Sequence, residues 1–359
     1  MKSHATRGLV TLAVATLFLG ACSTTPSSSA PNAAQSESAA GASAGAHKGT
    51  VTVLTHDSFA LPDDVIARFT SQTGYTLKTT APGDAGVVAN QLILTKDNPT
   101  VDAVYGIDNY SASKISDAGV LADYTPHDLP TGAKPYELGS ALAPIDMGDV
   151  CVNVDHAYFT KAGIPEPATL DDLAQPRYAK LFVLENPATS SPGVAFLVAT
   201  IAAKGESGYQ QYWKDLLNNG AKLDQGWSEA YETDFSAGGG KGKYPLVLSY
   251  SSSPAETEGA TGSLPATCTR QVEYAGVVKG AKNAPGAQAF IDFMLSDDVQ
   301  KVIPENMYMY PINTEIKLPE QWAKFASLTD KPLTVDAAKV AQSRDAWIKA
   351  VSAIAESRK

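Results

Sequence analysis

Basic residues and cysteine are scarce in this chain. Lys and Arg together number 28, against 38 Asp and Glu, over 359 residues. Such a chain lacks the cationic field that nucleic acid demands, so nucleic acid is not expected as a partner, whereas a cationic ligand is favoured. There are five histidines, His4, His47, His56, His127 and His156, and none shows metal-ligand spacing. Cys-x-x-Cys, His-Glu-x-x-His and phosphate-loop motifs are missing too, so neither a metal nor a cofactor is expected. A nucleophile paired with a base is equally lacking, and no residue is assigned as catalytic. The Gly41-Ala42-Ser43-Ala44-Gly45 run has the spacing of a hydrolase elbow without the flanking strand and helix, and is accidental. No internal repeat is found, and no apolar run is long enough to span a bilayer as a permanent helix.

What is present begins at the N-terminus. Lys2 and Arg7 precede an apolar core from Leu9 to Leu19 and the tetrad Leu19-Gly20-Ala21-Cys22. This reads as a cleaved signal peptide over residues 1–21, and its ending resembles the lipobox of bacterial lipoproteins, with Cys22 as the acylated residue. Residues 22–48 are nearly all small and polar, a flexible tether. Removing residues 1–21 removes two of the 28 cations and no acid, which leaves 26 against 38 and a net charge of −12. With Cys22 lipidated, Cys151 and Cys268 remain as an even pair in an exported chain, either disulfide-bonded or two buried thiols.

The remaining length calls for two lobes. Strands at 50–55, 77–80 and 103–106 alternate with helices at 62–73 and 85–95, which predicts an α/β fold with a mostly parallel sheet. Ligands of such sheets sit at the carboxyl ends of the strands. Apolar strands near 146–153 and 269–278 are the expected crossings between lobes, and helices at 287–294 and 335–356 are expected to pack behind them.

Several positions suit ligand contact. Ser253-Pro254-Ala255-Glu256 has the form of a capping box with Pro at the first helical position, and Ser191-Pro192, after Thr189 and Ser190, repeats the device. Helix starts of this kind serve as plain caps or bind anions. Trp227 follows Gly226 and precedes a helix expected from Ser228, which makes it a loop-borne aromatic face or a core residue; a ligand cation over such a face gains about 0.5–2 kcal/mol. Tyr250 ends the apolar strand from Leu246. Asp84-Ala85 and Asp108-Asn109 lie at strand-to-helix turns, where each carboxylate is a ligand contact or an N-cap.

The run Gly226-Trp227-Ser228-Glu229-Ala230-Tyr231 resembles the thiamine-binding proteins of bacterial ABC importers. So do Thr55 to Phe59, Gly106 to Asn109, Asn186 to Gly193, Leu246 to Ala255 and Met309-Tyr310-Pro311. The segment from Pro165 to Pro187 is similar to a phrase shared by extracellular solute-binding proteins. The resemblance implies a two-lobed periplasmic-binding-protein fold of type II, with hinge strands and a ligand cleft between lobes. Residues 49–148 with 271–318 would form one lobe, 149–270 the other, and 319–359 helices packed on both. It further implies that Asp84, Ala85, Ser190, Ser191, Trp227, Tyr250, Ser251, Ser252, Ser253 and Pro254 hold thiamine or its mono- or diphosphate. His56, Asp108, Asn109 and Tyr308 are additional candidates. The expected partners are a permease driven by a cytoplasmic ATPase and, through Cys22, the outer face of the cell membrane; a monomer is expected.

Three positions depart from the family pattern: Glu256 where an aromatic is common, Tyr308 where Trp is common, and His56 in place of a common Tyr. The alternatives are a binder of another cation, such as a polyamine or ferric ion, and a surface lipoprotein without a transport role.

Overall fold

The computed structural model describes residues 47–238 and 242–358. The signal segment, Cys22 and nearly all of the tether lie outside them. The chain enters a sheet at β1 (Gly49–Leu54), which pairs in parallel with β2 (Tyr75–Thr80) and β3 (Ala103–Asp108). The helix Asp63–Thr73 links the first two, burying Val65 and Phe69 against the sheet and ending on a left-handed Gly74. The helix Ala85–Leu94 links β2 to β3.

After β4 (Leu121–Ala122) comes the longest strand, β5 (Ala143–Asp155), in which every residue is buried. A strand covered on both faces has no need of alternating polarity. It is followed by β6 (Phe182–Glu185), β7 (Lys222–Asp224), β8 (Leu246–Tyr250) and β9 (Thr261–Ser263). The last strands are β10 (Thr269–Val278) and β11 (Tyr310–Pro311).

All belong to one sheet with the path β2-β1-β3-β10-β5-β8-β6-β7. The pairings at each end of this path are parallel, β1 with β2 and β3, and β6 with β7 and β8. Those in the middle, β3 with β10, β10 with β5 and β5 with β8, are antiparallel. The sheet is therefore mixed rather than mostly parallel. The difference arises at the two crossing strands: β5 and β10 run side by side over Ala143–Val150 and Thr269–Ala275, carrying the chain between two parallel groups in opposite directions.

Cys151 on β5 and Cys268 just before β10 are joined, with sulfurs 1.99 Å apart. The closing helix, Ala337–Glu356, lies along the segment Ser191–Asn218, which is helical on both sides of a kink at Gly205 (φ 71°). Its Arg344 donates to Ser111 Oγ at 3.1 Å, and Trp347 donates to Glu206 Oε1 at 3.2 Å.

Candidate ligand-binding site

Turns after β1, β2, β6, β7 and β8 converge with β10 on one buried cavity. It is lined by His56, Ser58, Asp84, Pro192, Trp227, Tyr250, Glu273, Met307 and Met309.

Asp84 N-caps the helix Ala85–Leu94, accepting from the Ala85 amide at 2.6 Å, and its other oxygen accepts from the Trp227 amide at 3.1 Å. Capping and cavity lining, alternatives in the sequence, thus coincide in one carboxylate. Burial raises its pKa despite these donors. Ala85 is buried beside it.

Trp227 is in a helical turn and only 5% exposed, instead of projecting from a loop. The turn begins one residue earlier than the sequence suggests and continues into π-helical geometry over Glu229–Asp234. The wider spiral brings Tyr231 face to face with the indole, with ring centroids 4.9 Å apart. The indole N–H donates to Ser249 Oγ at 2.8 Å, and the residue lines the cavity. Tyr308 tilts against Trp227 at 5.8 Å between centroids. Its left-handed backbone, φ 56°, turns the chain so that its carbonyl accepts from Ser252 Oγ at 2.6 Å.

Ser190, rather than Ser191, caps the long helix, accepting from the Gly193 amide at 3.4 Å. Ser191 is its first residue, and its buried hydroxyl has no partner. The capping box expected at Ser253 is not formed. The helix there is a single turn, Ser253–Glu256, whose N-cap Ser252 makes no capping bond with its side chain. The sequence pattern misleads because Ser253 Oγ is engaged elsewhere, with Ser249 Oγ at 2.8 Å and as acceptor from the Tyr250 amide at 3.3 Å. One turn carries little macrodipole. Ser251, Ser252 and Pro254 are buried in this turn behind Tyr250, and the Ser251 hydroxyl is unpartnered.

Asp108 and Asn109 are not brought to the cavity. Asp108 accepts from the Ser111 amide at 2.6 Å, and Asn109 braces β10 by accepting from the Val272 amide at 3.0 Å. Asn109 lines a different groove, beside Tyr110 and Arg270.

Glu273, Met307 and Met309 were not legible as site residues. Glu273 sits on β10 and meets His56 Nε2 at 3.3 Å. It accepts from Tyr105 Oη at 2.8 Å and from Gln271 Nε2 at 3.1 Å. Burial opposes its ionisation, but these partners outweigh burial and hold its carboxyl below the usual range. Burial likewise works against a proton on His56; the adjoining Glu273 carboxylate prevails and lifts the imidazole pKa to about 9. Behind them Asp146 shares the Tyr105 hydroxyl at 2.5 Å. Burial, then the charge of Glu273, pushes its pKa well up. The Tyr105 hydroxyl thus donates toward both carboxylates, Asp146 Oδ2 at 2.5 Å and Glu273 Oε2 at 2.8 Å, and its one proton is shared between them.

The room for His56 comes from Gly106, whose φ is 93° and where an added Cβ would lie 2.3 Å from the imidazole Cδ2. Elsewhere, Asp224, Glu229 and Asp234 approach one another. The Lys222 ammonium lies among them, 2.6 Å from Asp224 and 3.8 Å from Glu229, and offsets their charge.

Two parallel strand groups joined by paired crossing strands, with a lined cavity where the turns meet, define a two-lobed solute-binding protein of the type II fold. Residues 98–331 match the family model for the bacterial extracellular solute-binding protein, and the chain belongs to that family. It is a substrate-binding transport protein and not an enzyme. Among its relatives, the thiamine-binding periplasmic protein of Escherichia coli (strain K12) is 31% identical over 320 residues, covering 84% of this chain and 92% of that one. A solved periplasmic thiamin binding protein superposes with a TM-score of 0.73 at 28% identity, covering 87% of this chain and 98% of that one. A ferric binding protein from Campylobacter jejuni shares the fold alone, at a TM-score of 0.65 and 17% identity over 85% and 99% of the two chains.

Proposed function

We propose that the cavity captures thiamine, or one of its phosphate esters, and that the protein delivers it to the permease of an ABC importer. The observation that carries this reading is the convergence of Trp227 and Tyr250 with the carboxylates of Asp84 and Glu273 on one buried cavity. Thiamine is a planar aminopyrimidine joined to a permanent thiazolium cation. Aromatic faces suit its rings, and carboxylates largely withdrawn from solvent suit its charge. Ser190 and Ser191, with the unpartnered Ser191 hydroxyl at the start of a long helix, suit its hydroxyethyl end or a phosphate on it. Ligand bound between the lobes stabilises the closed form by its differential affinity for that form.

Ferric ion is a poorer fit. A hard trivalent cation takes oxygen donors, and this cavity faces it with an indole and the thioethers of Met307 and Met309. Residues 49–148 with 271–318 form one lobe in this reading and 149–270 the other. Lys2, Arg7, the apolar core and the Leu19-Gly20-Ala21-Cys22 tetrad support export with lipid anchoring at Cys22.

A fluorescence titration tests the reading. Thiamine is expected to quench tryptophan emission saturably, with most of the change lost in Trp227→Phe. Quenching that stays linear in thiamine concentration contradicts it.

A further inference from the structure

The two sides of the cavity touch directly at a place with no room for a side chain. The Gly86 amide donates to the Thr189 carbonyl at 2.9 Å, and a Cβ on Gly86 would lie 2.6 Å from the Thr189 carbonyl carbon and 2.7 Å from its oxygen. Both opposing atoms are backbone, so no rotamer change relieves the clash. A second bond runs parallel to the first, from the Trp227 amide to Asp84 Oδ2 at 3.1 Å. Thr189 Oγ1 donates to the Gln225 carbonyl at 2.6 Å and ties the two acceptor segments together. The start of the helix Ala85–Leu94 is thus clamped between Thr189 and Trp227.

We propose that Gly86 gauges cleft closure: its missing side chain lets the helix start seat against the Thr189 carbonyl, and that contact with the Asp84–Trp227 bond latches the lobes shut. The inference rests on the two-lobed reading of the same cavity and holds for any ligand that binds there. The amides of Gly86 and Trp227 belong to first turns of helical segments, where no intrahelical acceptor exists. Their protection therefore depends on the opposite lobe. Open, the helix has no need of glycine at this position, and alanine is the better helix former.

The test is amide hydrogen exchange on the full chain, comparing wild type with Gly86→Ala and with Asn90→Ala, an exposed control on the same helix. Without ligand, Gly86→Ala is expected to speed exchange of the Trp227 amide at least tenfold. The Val88 and Ala89 amides, which report the helix itself, should exchange no faster. Asn90→Ala should change none of these. Equal exchange at Trp227 in wild type and Gly86→Ala overturns the gauge, as does acceleration that extends equally to Val88 and Ala89. Adding thiamine then slows exchange at positions 86 and 227 of the wild type. If it does not, the thiamine reading fails while the ligand-free comparison still judges the latch.

Discussion

Trp227 and Tyr231 lie face to face, 4.9 Å between ring centroids and 10° from parallel, with Trp227 also forming the cavity wall. One face of the indole is spent on Tyr231, and Tyr308 tilts against the ring as well, so a ligand meets only the part that lines the cavity. Trp227→Ala is expected to lower thiamine affinity at least tenfold, about 1.4 kcal/mol, and to destabilise the fold by ~3–5 kcal/mol through the lost core volume. Trp227→Phe keeps an aromatic face, removes the bond to Ser249, and should cost about 1 kcal/mol of stability. Urea unfolding and calorimetric titration of the three proteins check both numbers.

Gly106 is needed for space and for backbone conformation at once. A Cβ there would meet the His56 ring at 2.3 Å, and φ is 93°. Gly106→Ala should destabilise by roughly 1–3 kcal/mol, read as a lower urea midpoint. An unchanged midpoint would mean that His56 moves aside freely.

The His56–Glu273 contact links stability to pH. Burial disfavours the imidazolium, and Glu273 more than offsets it, so the folded pKa of about 9 lies above the unfolded value of 6.5. A raised cationic group contributes fully below pH 6.5, and its contribution is lost as pH rises through 9. That contribution is at most ~3 kcal/mol. Stability should therefore decline between about pH 6.5 and 9, and His56→Gln should flatten the decline. Denaturant midpoints across that range measure both.

Cys151 and Cys268 close a sequence separation of 117 residues across the crossing strands. Paired Cys→Ser substitution should cost about 2–5 kcal/mol, seen as a lower melting temperature in non-reducing buffer. A melting temperature equal to that of the wild type would show that the bond adds nothing.

Local signals carried much of the fold and part of the site. Glycine and proline punctuation marks the helices Asp63–Thr73 and Ala85–Leu94, and stretches rich in Val and other apolar residues, broken by a few polar ones, mark β5 and β10. Asp84, Ser190 and Tyr250 were visible because a cap or a strand end is a short-range pattern. Glu273 was not, because a carboxylate inside an apolar strand acquires meaning only when His56, 217 residues away in sequence, folds onto it. Asp108 carried the same local signal as Asp84. The cavity forms beside only one of these two turns, a matter of tertiary placement. Ser253 failed as a cap because the Tyr250 amide and Ser249 hydroxyl compete for it.

Calorimetric titration of the protein with thiamine, thiamine mono- and diphosphate, and spermidine tests the central claim most directly. Saturable one-to-one binding of at least one thiamine form, tighter than spermidine, is the predicted result. Binding of spermidine with no heat from any thiamine form would contradict it.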